Sequence, residues 1–209
     1  MYINIHKDEV VMREALRQLL AELAAFGNKN DESTSERCLK MLNITPETGS
    51  FLALLVQSTQ AKRVLEIGTS NGYSTLWLAD SVQRLEGQVI TLERSDYKAK
   101  MAAANFKASG LRNIQLFTGD AGVFLADEAH EPFDLIFLDA KREDYVAWWP
   151  DLRRLLRPQG LLVVDNALSH QTQIQPLADL IEADRGFMSS LVPIGKGELL
   201  AVKIAPAEV

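Results

Sequence analysis

Cysteine is almost missing from this chain. Cys38 is the only one in 209 residues, so no internal disulfide framework can form, and a reducing cytoplasm is the expected compartment. A lone thiol usually packs as a small core residue, and Cys38 is expected to do so. No apolar run reaches about 18 residues, so no membrane span is expected. The opening MYINIHKDEVVMREAL lacks the apolar stretch of a signal peptide. Positive charge is in deficit. Lys and Arg number 22 against 28 Asp and Glu, a formal net charge of −6, which disfavours broad binding to nucleic acid or anionic membrane. Low-complexity segments and long linkers are lacking. So is the G-x-G-x-x-G spacing that brings a pyrophosphate to a helix N-terminus, which lowers NAD or FAD as ligand.

What is present suits one α/β domain over residues 1–209, with 47% hydrophobic and 24% charged residues. Residues 1–45 read as an N-terminal helical segment and 46–209 as the core. Met12, Leu16, Leu19, Leu20 and Leu23 recur at helical spacing between Asp8 and Phe26, and Gly27 is the expected stop. GNKNDESTSE reads as a polar connection, and the charges of KNDESTSERCLK as solvated or as part of a lid. Thr45 can cap a following helix, with Pro46 in its first turn. From Arg63 onward strands alternate with helices. RVLEI, QVITLE, IQLF, FDLIFLD and LLVVD are continuous apolar runs, as strands buried on both faces of a parallel sheet should be. FMSSLVPI and ELLAVKI, joined by GKG, predict an antiparallel hairpin at the sheet edge. The fold class is a doubly wound α/β sheet, mostly parallel, with a C-terminal hairpin and extra N-terminal helices.

Ligands of such sheets bind beyond the carboxyl ends of the strands. VLEIGTSNGYS puts a glycine turn, Gly68 to Gly72, after the first strand. Glu93 ends the second, where an acid can accept both hydrogen bonds of a ribose diol. With strand order 3-2-1-4-5, the fourth and fifth strands are neighbours about 4.8 Å apart, so Asp139 and Asp165 end side by side. Two carboxylates that close must share a proton or bind a cation. Asn166 adds a neutral oxygen. Three hard oxygen ligands suit Mg²⁺, Mn²⁺ or Ca²⁺, whereas zinc would want His or Cys.

Together, ITPETGSFL, VLEIGTSNGYSTLWLA, LERS, TGDA, FLDAKREDY and VVDNAL resemble the cation-dependent O-methyltransferases, S-adenosylmethionine enzymes related to catechol and caffeoyl-CoA O-methyltransferases. The resemblance covers about residues 40–205. It implies a seven-stranded Rossmann-like methyltransferase fold and a homodimer. It implies that Glu66, Gly68, Thr69 and Ser74 hold the methionine part of S-adenosyl-L-methionine, with Ile44 closing over that end. Glu93 would hold the ribose, Asp120 and Ala121 would flank the adenine, and Asp139 would border the cofactor. Asp139, Asp165 and Asn166 would hold the divalent cation, magnesium first, and two adjacent oxygens of the acceptor would complete its shell.

A metal-activated hydroxyl still needs a proton acceptor. The family usually has lysine three residues after the first metal aspartate. Here that position is Arg142, which stays protonated, and the lysine is Lys141. Lys141 is therefore the expected base, with metal activation alone as the alternative. No clear counterpart is found for the acid with which catechol enzymes grip the second hydroxyl. His6, His130 and His170 read as surface or loop histidines, and Trp148 and Trp149 as core or subunit-contact residues. The expected function is O-methylation of a small hydroxylated aromatic, with a hydroxyuridine of tRNA as the second acceptor. A dinucleotide-dependent oxidoreductase and a non-catalytic cofactor-binding protein are the remaining readings.

Overall fold

The apolar runs become strands because each carries side chains for both faces of one sheet. A computed structural model of the protein describes residues 14–205. Among them, β1 (Arg63–Ile67), β2 (Gln88–Glu93), β3 (Ile114–Thr118), β4 (Phe133–Leu138) and β5 (Leu156–Val164) are parallel. β6 (Phe187–Val192) and β7 (Glu198–Lys203) run antiparallel to each other, and β7 lies between β5 and β6. The order is β3-β2-β1-β4-β5-β7-β6, the doubly wound sheet with an edge hairpin that the sequence predicts.

Successive residues point to opposite faces. Ile136 and Leu138 of β4 therefore enter one core and Leu135 and Phe137 the other. The first core is covered by α5 (Ala121–Leu125), α6 (Tyr145–Leu155) and α7 (Gln171–Ala183). The second is covered by α1 (Glu14–Ser33), α2 (Pro46–Thr59), α3 (Tyr73–Gln83) and α4 (Asp96–Ser109). Thr45 caps α2 by accepting the Thr48 amide at 3.2 Å, and Pro46 opens its first turn. No helix among the described residues is long and apolar enough to cross a membrane.

Two sequence expectations change. The start of the first predicted helix, Asp8 to Arg13, and His6 lie outside the described residues. Gly27 does not end α1, which continues to Ser33. Gly27 is buried, and a β-carbon there would come within 2.5 Å of the Asn43 amide nitrogen. The glycine makes room for the returning chain. Asp31 then anchors that chain by accepting the amides of Met41 (2.6 Å) and Leu42 (2.8 Å). β5 also starts earlier than LLVVD, because Leu156 already pairs with Phe133 before the register shifts between Phe133 and Leu135.

Candidate active site

The sheet ladder runs on past the strand ends and sets the site. The Asp139 amide donates to Ile67 O (3.0 Å) and the Asp165 amide to Leu138 O (3.1 Å). Asp139 is thereby aligned with the glycine turn and Asp165 with Asp139. Gly68 has φ +109°, and a β-carbon there would lie 2.0 Å from the Asp139 carbonyl oxygen. No side chain fits between the turn and β4. Gly72 does the same for the helix behind, packing on Phe106. The loop after β4 is pinned by buried Tyr145, whose hydroxyl accepts the Ala140 amide (2.8 Å) and donates to the Ala140 carbonyl (3.0 Å).

A cleft of about 770 Å³ opens over these ends. Ile44, Gly68, Thr69, Ser74, Glu93 and Asp120 line it, as do Ala121, Asp139, Lys141 and Asn166. Glu66 and Asp165 lie behind its wall, buried at 0% and 2% exposure. Glu66 accepts from Ser74 (2.5 Å), Thr75 and Thr91 (2.6 Å). Thr91 spends its hydroxyl hydrogen there, so the 2.5 Å contact between Thr69 and Thr91 has Thr69 as donor. Glu66 was expected to touch the cofactor. It instead orients Ser74 directly, and Thr69 through Thr91. Burial pushes its carboxyl up to about 7 against these three donors.

Glu93 accepts the Ser70 amide on one oxygen (2.7 Å) and the Ser95 amide on the other (2.8 Å). Each oxygen keeps a lone pair for a ligand hydroxyl, the geometry a diol needs. Asp120 caps α5 by accepting the Gly122 amide at 2.9 Å. The 34–45 crossing closes the top. Ser70 donates to Met41 O (2.7 Å) and Lys98 to Lys40 O (2.6 Å). GNKNDESTSE, expected as a polar connection, instead continues α1 as far as Ser33, and the chain after it is tied down at Lys40 and Met41.

At the other end, the Asn166 amide nitrogen donates to Asp139 (3.1 Å) and Asp165 (2.6 Å) together. One small positive group can therefore touch both carboxylates at once. Burial and the charge of Asp165 push Asp139 well above the usual carboxylate range, while Lys196 and Arg142 pull it back. Among the described residues no three His, Cys, Asp or Glu side chains form a ready metal cage. Two carboxylates with an amide oxygen fit a hard, partly hydrated cation, once the Asn166 amide turns its oxygen inward. Asn166 sits in the left-handed region, φ 67°, which asparagine tolerates better than most residues.

Several neighbours of the site are not apparent from residue spacing. Glu198 is fully buried beside Asp165, because Val164 pairs with Leu199 in the antiparallel register of β5 and β7. Its carboxyl is pushed up to about 10, first by burial and then by Asp165. Thr48 donates to one of its oxygens (3.3 Å), and the other is buried without a partner. An acid opening the apolar run ELLAVK was the available signal. Cys38 is exposed on the cleft mouth and not in the core. Trp149 is buried against Phe187, with ring centroids 5.0 Å apart, but Trp148 lines the cleft beside Gly122. His170 also lines it, and His130 stacks on Phe124 at 3.9 Å. Lys141 points outward with its ammonium 3.9 Å from Glu143. The cations whose charge acts on Asp139 are Lys196 and Arg142.

Known proteins share the sequence pattern and the fold. A catechol O-methyltransferase of Niastella koreensis is 39% identical over 140 residues, covering 65% of this chain and 63% of that protein. A catechol O-methyltransferase of Mycobacterium tuberculosis is 39% identical over 131 residues, covering 62% and 59%. The matched part thus spans about three fifths of the length of these relatives. The structure of an O-methyltransferase from Bacillus cereus in complex with SAH superposes with a TM-score of 0.74 at 28% identity, covering 93% of this chain and 92% of that one. The family model described as O-methyltransferase matches residues 16–204, nearly the whole described chain, and the chain therefore belongs to the O-methyltransferase family.

Proposed function

We propose that this protein is an S-adenosylmethionine-dependent O-methyltransferase that requires a divalent cation and methylates one hydroxyl of a small aromatic acceptor with adjacent hydroxyls. One observation carries the reading. A single cleft joins a diol-ready acid, Glu93, to two carboxylates that meet one amide, Asp139 and Asp165 with Asn166. The catechol names of the relatives and the SAH of the Bacillus cereus neighbour support it.

Glu93 binds the ribose, Asp120, Ala121 and Trp148 border the adenine, and Gly68, Thr69 and Ser74 receive the methionine part under Ile44. Asp139, Asp165 and Asn166 would hold the cation, which would supply positive charge to stabilise a developing negative charge on an acceptor oxygen and would help orient the acceptor. The cofactor would supply the methyl group, its sulfur–methyl bond breaking as the oxygen–methyl bond forms, and leave as the neutral thioether S-adenosylhomocysteine. Lys141 would take up the hydroxyl proton. Arg142 cannot do so. To act, Lys141 leaves its exposed pair with Glu143, a contact worth only about 0–1 kcal/mol. A homodimer accords with the family resemblance, and light scattering tests it.

The test is transfer of labelled methyl from S-adenosylmethionine to a catechol panel and, in parallel, to bulk tRNA. Turnover on catechols should stop in excess EDTA and return with Mg²⁺ or Mn²⁺. Full turnover in EDTA would refute the cation, and labelling of tRNA alone would shift the acceptor to the hydroxyuridine reading.

A further inference from the structure

We infer that Arg37, Arg142 and Lys196 form an anion subsite at the acceptor end of the cleft, so that the acceptor carries a carboxylate in addition to its hydroxyls. The inference rests on the O-methyltransferase reading of this cleft and names its substrate class. The three cations come from three separate segments: the 37–39 turn, the 142–144 turn after β4, and the GKG turn between β6 and β7. All three line the cleft that holds Asp139 and Asn166. The Leu168 and Ser169 amides donate to Lys196 O (3.1 and 3.0 Å), which seats the GKG turn beside Asn166, and Arg142 follows Asp139 by one turn of chain on the same cleft wall.

In a chain of net charge −6, such a cluster is not background. No salt bridge ties any of the three to a protein carboxylate among the described residues. Lys141, on the same wall, does face a carboxylate, Glu143. The Nε of Arg142 is buried with no acceptor, a costly state for a guanidinium N–H. The charges of Asp139 and Asp165 are already matched by the divalent cation of the proposed function. Asp144 is the other acid of this wall, and it leaves a surplus of positive charge. An acceptor carboxylate matches the guanidinium fork of Arg142 and supplies the missing negative charge. A polyanionic backbone fits less well, because Glu93, Asp120, Glu143 and Asp144 rim the same opening.

The experiment is calorimetry on the full protein with Mg²⁺ and S-adenosylhomocysteine, titrating 3,4-dihydroxybenzoate, its methyl ester and 2-(3,4-dihydroxyphenyl)ethylamine. The acid should bind at least about tenfold tighter than the ester, and the amine weakest, on the scale of one charge-assisted contact. In Arg142→Gln/Lys196→Gln, checked for folding by circular dichroism, the ratio of acid to ester affinity should fall towards one. Equal binding of acid and ester by the parent protein would overturn the subsite and leave the methyltransferase reading standing. No binding of any catechol would overturn both. Salt-sensitive uptake of tRNA with no preference for the acid would also overturn the subsite. The parent comparison decides the matter even if the double variant fails to fold.

Discussion

Glu66 and Lys141 show how burial sorts chemically similar positions into different work. Glu66 is enclosed, with its carboxyl raised from an ordinary 4.5 to about 7. An acid raised on folding keeps its proton in the native state while the unfolded chain has already lost it. Stability therefore falls as pH rises from about 4.5 to about 7, by up to about 3 kcal/mol for this group. We expect Glu66→Gln to flatten that slope in urea unfolding at several pH values. A slope that survives the substitution would show that Glu66 is not its source. Lys141, by contrast, is 63% exposed and free to swing. If it is the base, Lys141→Met should lower kcat by about 10²–10⁴-fold, the usual loss for a general base, with the cofactor KM little changed. Loss within about tenfold would leave activation to the cation alone.

At the level of elements, the site depends on how closely the β1 turn approaches the end of β4. Gly68 combines a left-handed φ of +109° with a space already filled by the Asp139 carbonyl. Gly68→Ala should cost more than about 2 kcal/mol, from backbone strain and overpacking together, and should weaken cofactor binding because it pushes Asp139 away. A denaturant midpoint unchanged from the parent would contradict this packing. The 34–45 crossing is a second such device. Asp31 holds its backbone from α1, and Ser70 and Lys98 hold it from the cofactor side. The entry to the cleft is therefore built from three elements far apart in the chain.

For the whole molecule, the acids gathered just past β4 and β5 and at the start of β7 set the relation between cation and stability. Asp165 and Glu198 are buried and Asp139 lines the cleft beside them, and a cation bound there would relieve their repulsion. Ligands that bind only the native state stabilise it by mass action, about 2.7 kcal/mol at 100 times Kd. Adding Mg²⁺ or Mn²⁺ near pH 8 should raise Tm, and Asp165→Ala should lose that rise. An equal rise in the variant would place the ion elsewhere. This readout is independent of turnover, so it separates cation binding from acceptor choice.

Much of this protein was legible in its sequence, because the deciding physics was local. Apolar runs without alternation marked β1, β2, β4 and β5 as strands buried on both faces, whereas β3, read the same way from IQLF, lies at the sheet edge with no buried residue. Reading the residues just past each strand end brought Glu93, Asp120, Asp139 and Asn166 to one cleft. What escaped were features that depend on where distant segments meet. Gly27 looked like a helix stop, yet it is a gap left for Asn43. Cys38 looked like core, yet the crossing that carries it runs over the cleft mouth. Glu66 was expected on the cofactor wall and lies behind it. Glu198, and the meeting of Arg37, Arg142 and Lys196, could not be read from spacing. The sequence by itself determined the strands, their order and the acids at their ends, through periodicity and the rule that ligands sit beyond parallel strands. Only the tertiary structure decided which charges share the cleft. Burial and Coulomb interaction act across space, and antiparallel register, not sequence distance, brings Glu198 against Asp165.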